Sequence, residues 1–403
     1  MVMTDKPWRL QRLSDMATEW LASREALCSS MNDYLESHLR HVACTQPKQL
    51  NTIDYATMLA AIDEHIANFV HTLDHTVRYT RPQRLATYQH ELTATFGAVV
   101  TTDAQRLASV IPPQNLASVH HTVQRALAVM QHILQVIAEM QKPFNFAAYL
   151  FAQRLASQLK HLLYPVRTHL SAMQRYWLLP DVEVVTCDPA PSQVHPESGI
   201  QRHAIDGHRG AYTCYIPESY RPEQAWPLIL ALHGGHGHDE DFLWRWLKYA
   251  KSCGYLLICA KSFGSTWHPW DIDSLLLILD HMQARFNVDT RRVLLTGLSD
   301  GGTFSYEVGF AHPERFGGLA VVAGMMPPRW RSPLAHRLPV YIAHGDQDPL
   351  FPIGHVRATV RTLQAWGHHV TYHEIAGLKH TYPPGESGAI LDWFATATEH
   401  TTG

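Results

Sequence analysis

Between residues 211 and 395 short apolar runs alternate with amphipathic stretches, and this alternation limits the possible folds more than any other feature. The runs cover 211–216, 228–232, 255–260, 293–296, 319–323, 340–343 and 370–375. Helical patterns lie between or after them at 239–252, 272–286, 301–311, 354–366 and 386–395. Such alternation implies a mainly parallel sheet with helices on both faces, because parallel neighbours need a crossover between them. Ligands in such a sheet bind beyond the carboxyl ends of the strands. Chemistry is therefore expected in the loops that follow the runs. The Asp206-Gly207 dipeptide adds a hairpin-turn signal ahead of the first run.

Residues 1–180 have a different pattern. One apolar stripe is Ile53, Ala56, Leu59, Ile62, Ile66, Phe69, Leu73 and Val77. A second is Leu116, Val119, Val123, Leu127, Met130, Leu134 and Ile137. Both have the three-and-four spacing of a helix with one buried face. The stretches from Leu10 to Leu39, Leu85 to Val100 and Phe146 to Leu179 add further helical candidates. Breaks fall at Pro47, Pro82, Pro112-Pro113, Pro143 and Pro165, since proline is not tolerated inside a helix. The expectation is an all-α bundle over 1–180, followed by an α/β domain over 181–403. The segment CDPAPSQVHPESG, rich in Pro and Ser, reads as the linker or loop between them.

Composition excludes several classes. Hydrophobic residues make up 46% of the 403 residues and charged residues 17%, enough to bury a large core. A formal net charge of −3 lacks the basic excess that nucleic-acid binding needs. The opening MVMTDKPWRLQRLSDM lacks the apolar centre of a secretory signal. No stretch approaches the ~18 uninterrupted apolar residues of a membrane-spanning helix. The six cysteines form no CxxC pair and read as free thiols of a reducing compartment. A cytoplasmic location is the expectation.

The run at 293–296 leads into Gly297-Leu298-Ser299-Asp300-Gly301, a GxSxG between a strand pattern and a helical one. A serine on so sharp a strand-to-helix turn needs a strained backbone and small residues two positions either side. Gly297 and Gly301 provide these, and Gly302 permits close packing of the helix that follows. A hydroxyl is a weak nucleophile, so it needs a base within hydrogen-bond reach and an acid that orients the base. The segment VYIAHGDQDPLFP offers Asp346 and Asp348 just after one strand. The segment EIAGLKHTYPP offers His380 just after another. Both lie on the rim that carries Ser299, in the order serine, acid, histidine.

The segments LHGGHGHDEDFL, GLSDGG, HGDQDPLFP and GLKH, in that order, resemble the α/β-hydrolase superfamily over about residues 200–397. The resemblance is to its phospholipase/carboxylesterase and dienelactone-hydrolase-like branches, with some similarity to polyhydroxyalkanoate depolymerase-like esterases. It implies an α/β-hydrolase fold with a mostly parallel sheet of about eight strands. It also implies Asp348 as the acid, Asp346 being a turn residue. The oxyanion hole would then be formed by the amides of Asp300 and of Gly235, with His236 an alternative to Gly235. Asp300 departs from the uncharged residue often found after the nucleophile. The implied reaction is cleavage of a carboxylic ester by Ser299, Asp348 and His380 through an acyl-enzyme. Thioester or peptide cleavage on the same triad is the alternative.

A small-molecule or lipid-like ester substrate is expected, with no cofactor. Trp267, His268 and Trp270, with Met325 and Met326, follow strands on the active rim and could line an apolar pocket, with His236 at its edge. Packing of helices on the sheet would account for them equally well. Lys379, beside His380, reads as solvated. The 28 histidines include His71 and His75 on a presumed helix and His233, His236 and His238 in one loop. Without cysteine pairs these do not amount to a structural zinc site, so no metal is expected. The helical half suits a cap, a module for homo-oligomerisation or a docking module, and it could be the working part of an interaction protein.

Overall fold

The computed structural model describes residues 47–79, 85–139, 146–205, 211–330 and 337–399. The predicted Leu10 to Leu39 helix and the Asp206-Gly207 turn lie outside them. The chain divides into two units, Met1–Trp177 and Leu178–Gly403.

In the first unit the described helices are α1 (Thr52–Tyr79), α2 (Leu85–Ala108), α3 (Ala117–Glu139), α4 (Phe146–Leu163) and α5 (Ser171–Tyr176). Leu59, Ile62, Ile66, Phe69 and Leu73 of the α1 stripe are buried, and Phe69 packs edge-on against Phe96 of α2. Ile53, at the start of the stripe, is 77% exposed, and the buried face of α1 begins at Tyr55. The stretch predicted as helical from Phe146 to Leu179 is broken at Pro165. A 3-10 segment, Tyr164–His169, separates α4 from α5. Proline cannot donate the helical bond, which accounts for the break. The free amides at the start of α5 are met from α1: Asp63 accepts from the N–H groups of Ala172 at 2.7 Å and Met173 at 3.0 Å. The unit also holds a two-residue parallel pair, β1 (Lys48–Gln49) with β2 (Val110–Ile111), outside the all-α expectation.

The second unit is built on eight strands: β3 (Gly199–Ala204), β4 (Ala211–Ile216), β5 (Trp226–Leu232), β6 (Leu256–Ala260), β7 (Val288–Leu298), β8 (Gly318–Val322), β9 (Val340–Gly345) and β10 (Val370–Ile375). Their order is β10-β9-β8-β7-β5-β6-β4-β3. Only β4 runs against the rest of the sheet, antiparallel to both β3 and β6. Every residue of β5 is buried, as expected of a strand covered on both faces. At the β10 edge, by contrast, exposed and half-buried residues alternate at first. Sequence reading missed β3, because GIQRHA contains a single large apolar residue. As an edge strand it needs only one neighbour and one covered face.

The helices are α6 (Val184–Cys187), α7 (Asp239–Cys253), α8 (Asp271–Arg285), α9 (Asp300–Ala311), α10 (Ile353–Ala365) and α11 (Glu386–Glu399). The segment read as a linker or loop begins with residues packed into the second unit. The fully buried Lys251 Nζ lies 2.7 Å from both Asp188 Oδ1 and Glu218 Oε2, and Cys187 Sγ donates to the Lys251 carbonyl. A buried ammonium needs such carboxylate partners to offset its desolvation.

From β5 the chain steps to β6 on one side, then returns past β5 to β7 on the other. The loops after β5 and β7 therefore leave the sheet side by side in opposite directions. This is a topological switch point, where open α/β sheets bind ligands. Leu232 pairs with Gly297 at this end, so the loop beginning at His233 starts level with the GxSxG turn.

Candidate active site

Ser299 joins β7 to α9 with φ 57° and ψ −116°, a left-handed conformation that L-residues rarely adopt. Strain of this kind costs about 1–3 kcal/mol and persists only where the surroundings enforce it. Here they do. A Cβ on Gly297 would lie 2.3 Å from the Gly301 carbonyl oxygen, and one on Gly301 would lie 2.4 Å from that of His233. The turn is tight enough that only hydrogen fits at either position. The Ser299 amide donates to Val322 at the end of β8, which fixes the turn over the sheet.

His380 Nε2 lies 2.7 Å from Ser299 Oγ, and His380 Nδ1 lies 2.7 Å from Asp348 Oδ2. A ring that donates from Nδ1 to the carboxylate is left with Nε2 as the acceptor for the serine hydroxyl. Asp348 Oδ1 accepts from the amides of Leu350 at 2.8 Å and Phe351 at 3.0 Å. Burial alone would raise the pKa of Asp348. The His380 hydrogen bond and the Phe351 and Leu350 amides outweigh it and hold the carboxyl below its usual range. His344 is buried and kept neutral, its pKa pushed down by that burial. Its Nε2–H donates to the Phe351 carbonyl at 2.9 Å and lies 3.4 Å from Asp348 Oδ2. Asp346 faces elsewhere: its Oδ1 accepts from the Gly377 amide at 2.7 Å. With the Gln347 amide on the Leu378 carbonyl, it clamps the acid-bearing loop to the loop that carries His380.

The loop after β5 approaches the turn closely. A Cβ on Gly234 would stand 3.4 Å from Ser299 Cβ, and one on Gly235 would stand 3.8 Å from Asp300 Cβ. Among the described residues neither the Gly235 nor the Asp300 amide has an acceptor. The His236 amide is taken, donating to the Ser265 carbonyl at 2.6 Å. His233 anchors this loop. Its Nδ1 donates to the Gly234 carbonyl at 2.7 Å and its Nε2 accepts from the Ser262 amide at 3.3 Å. Burial lowers its pKa to about 4, so the neutral tautomer these bonds require is the one present.

Comparison with known proteins finds similarity to esterases. The family described as Phospholipase/Carboxylesterase matches residues 272–397. A bifunctional acetylxylan esterase/xylanase of Neocallimastix patriciarum is 30% identical over 146 residues, covering 33% of this chain and 21% of that protein. Acyl-protein thioesterase 1 of Mycosarcoma maydis is 30% identical over 82 residues, covering 19% of this chain and 34% of that protein. The chain thus spans less than half the length of these relatives. A carboxylesterase structure from Bacillus cereus aligns at 18% identity and a TM-score of 0.40, covering 47% of this chain and 96% of that one. The family match overlies the strands and helices from α8 to α11.

The second unit has the α/β-hydrolase fold.

The residues read as pocket lining or as helix packing on the sheet have these surroundings. Trp267 is 6% exposed and belongs to the core, its ring stacked on Phe304 and beside His233. Its amide and indole N–H tie it to Asp300 and to the His233 carbonyl. His268 is half-buried and stacks on Trp270 at 4.3 Å, while Trp270 is 60% exposed. Met325 and Met326 are half-buried after β8, with the Met325 amide on Thr303 Oγ1 and Met326 against the core. Lys379 is exposed.

Asp271 escaped the sequence reading. It is buried and accepts from the amides of Phe263 at 3.0 Å and His268 at 2.7 Å, pinning the loop between β6 and α8. One of its partners lies eight residues upstream, a separation with no local signature.

Several histidines prove to be internal hydrogen-bonding groups. His120 pairs with the Tyr55 hydroxyl, His281 with that of Tyr212, and His368 with the Leu338 carbonyl. His71 and His75 are exposed on α1. His238 Nδ1 lies 2.6 Å from Asp239 Oδ1. Among the described residues no three His, Cys, Asp or Glu side chains converge as a metal site, and no helix is long and apolar enough to cross a membrane.

Proposed function

We propose that the chain is a serine hydrolase of carboxylic esters, with Ser299 as nucleophile, His380 as general base and acid, and Asp348 as the orienting carboxylate. The observation that carries this reading is the continuous line from Ser299 Oγ through His380 to Asp348, two contacts of 2.7 Å each, beside two amides without acceptors. Ser299 Oγ attacks the ester carbonyl carbon as its proton passes to His380 Nε2. The tetrahedral oxyanion is held by the Gly235 and Asp300 N–H groups. Its collapse breaks the bond to the alkoxy oxygen, which takes the proton from His380 and leaves as the alcohol. Water then attacks the acyl-enzyme with His380 again as base, releasing the acid and restoring Ser299. Asp348, kept ionised, stabilises the imidazolium that forms in each half-reaction.

The similarity to an acyl-protein thioesterase favours thioesters as a second substrate class for the same groups.

The test is turnover of p-nitrophenyl acetate and butyrate, with labelling by a fluorophosphonate, before and after Ser299→Ala. Loss of both in the variant is expected, with a fall in kcat of about 10⁶-fold. Unchanged turnover in Ser299→Ala would exclude this nucleophile. A matched acyl thioester then ranks the two substrate classes.

A further inference from the structure

Trp267 is held by α9 and by the loop after β5 at once. Its amide donates to Asp300 Oδ2 at 2.8 Å, and its indole N–H donates to the His233 carbonyl at 2.8 Å. Its ring stacks on Phe304 at 5.5 Å and 15°. Asp300 and Phe304 are four residues apart on α9 and so share one face of the helix. Two residues before Trp267, the Ser265 carbonyl accepts the His236 amide. The methyl of Thr266 would meet a Cβ on Gly235 at 3.8 Å. These contacts close a ring that leaves residue 300 by its carboxylate, passes through Trp267 to the loop bearing Gly235, and returns to residue 300, whose Cβ would stand 3.8 Å from a Cβ on Gly235.

We propose that the Asp300 carboxylate is a positioning residue for the oxyanion hole. By accepting the Trp267 N–H it holds the 233–237 loop so that the Gly235 amide and its own amide face one oxygen atom. It works as a hydrogen-bond acceptor and not as a charge, since a free negative charge beside a developing oxyanion would oppose the reaction. This role rests on the ester-hydrolase reading above and adds to it a side chain that the mechanism does not use. Asp271 independently anchors the loop that carries Trp267, at Phe263 and His268. Removing the Asp300 acceptor therefore displaces Trp267 without unfolding the loop.

The experiment compares the full chain with Asp300→Ala, Asp300→Ser and Asp300→Asn, using p-nitrophenyl butyrate and a trifluoromethyl ketone that forms a tetrahedral adduct on serine. Serine suits a helix start, but its oxygen is one atom too close to the backbone to replace the carboxylate. Asparagine keeps an acceptor of the right length and removes the charge. Active concentrations are set by fluorophosphonate titration, so partial misfolding of one variant does not affect the comparison. The Ala and Ser variants should lose about 10- to 100-fold in kcat, with KM within about threefold and ketone affinity falling in parallel. Asparagine should restore most of the loss. The acid limb of the pH profile should not move, because the His380–Asp348 pair is untouched.

Wild-type kcat in the Ala and Ser variants would overturn the proposal, as would an asparagine variant as slow as alanine or a loss confined to KM. A wild-type chain that neither turns over esters nor takes the fluorophosphonate would overturn the ester-hydrolase reading and this one with it. Normal wild-type turnover with an indifferent Asp300→Ala overturns this one alone.

Discussion

Asp346 and Asp348 sit two residues apart on one loop, yet Asp348 meets His380 Nδ1 at 2.7 Å whereas Asp346 meets the Gly377 amide at the same distance. One carboxylate orients the histidine ring, and the other holds the histidine-bearing loop against its own.

The two aspartates should therefore separate by experiment. Asp348→Asn leaves the geometry nearly intact but favours the wrong histidine tautomer, so kcat should fall by about 10⁴-fold. Asp346→Asn keeps an acceptor for Gly377 and should cost less than about tenfold in kcat, with a loss of roughly 1 kcal/mol in stability. Ester turnover and thermal melting of the two variants check this. Equal kcat losses would show that the two carboxylates are not divided in this way.

Three glycines should answer differently to one added methyl group. A Cβ on Gly297 or Gly301 would sit 2.3 or 2.4 Å from a backbone oxygen, and backbone cannot move aside as a flexible side chain can. Either alanine variant should lose more than about 3 kcal/mol and all esterase turnover. Gly354, in the first turn of α10, has nothing within 4 Å of the added atom. Gly354→Ala should gain about 0.4–1 kcal/mol, because alanine loses less backbone entropy on folding. Denaturant midpoints measure all three.

Acid should weaken both units before most carboxylates titrate. Burial lowers the pKa of His120 in the first unit and of His233 in the second to about 4. An unfolded chain protonates histidine near pH 6.5, so between about 6.5 and 4 the unfolded state binds protons that the fold refuses. Stability is full above that window and falls as pH drops through it, each histidine adding up to about 1.4 kcal/mol per pH unit. Melting temperature followed from pH 7.5 to 4.5 should decline, and His120→Gln should flatten the part belonging to the first unit. A flat profile would contradict both shifts.

Much of this was legible in the sequence, and the legible parts share a cause. Strand–helix alternation, the order of GxSxG, HGDQD and GLKH, and the place of each after a strand are properties of chain neighbours. Periodicity and turn sterics act over a few residues, so residue order alone displays them. From these follow the α/β sheet and a rim holding Ser299, His380 and one of the two aspartates Asp346 and Asp348. Edge strand β3 escaped because a strand covered on one face needs little apolar sequence.

Tertiary structure decided which group meets which. Asp346 and Asp348 have the same chemistry and nearly the same position, and only the path of the 376–379 turn places one beneath His380. The amides of Gly235 and His236 are adjacent, and only the Ser265 carbonyl, brought in after β6, occupies the second. Trp267 reads in the sequence equally as pocket lining or as packing, and only the fold places its ring on Phe304 and beside His233. Hydrogen bonds and ring contacts depend on distances of a few tenths of an ångström between residues tens of positions apart, and no local pattern in the chain encodes such a distance.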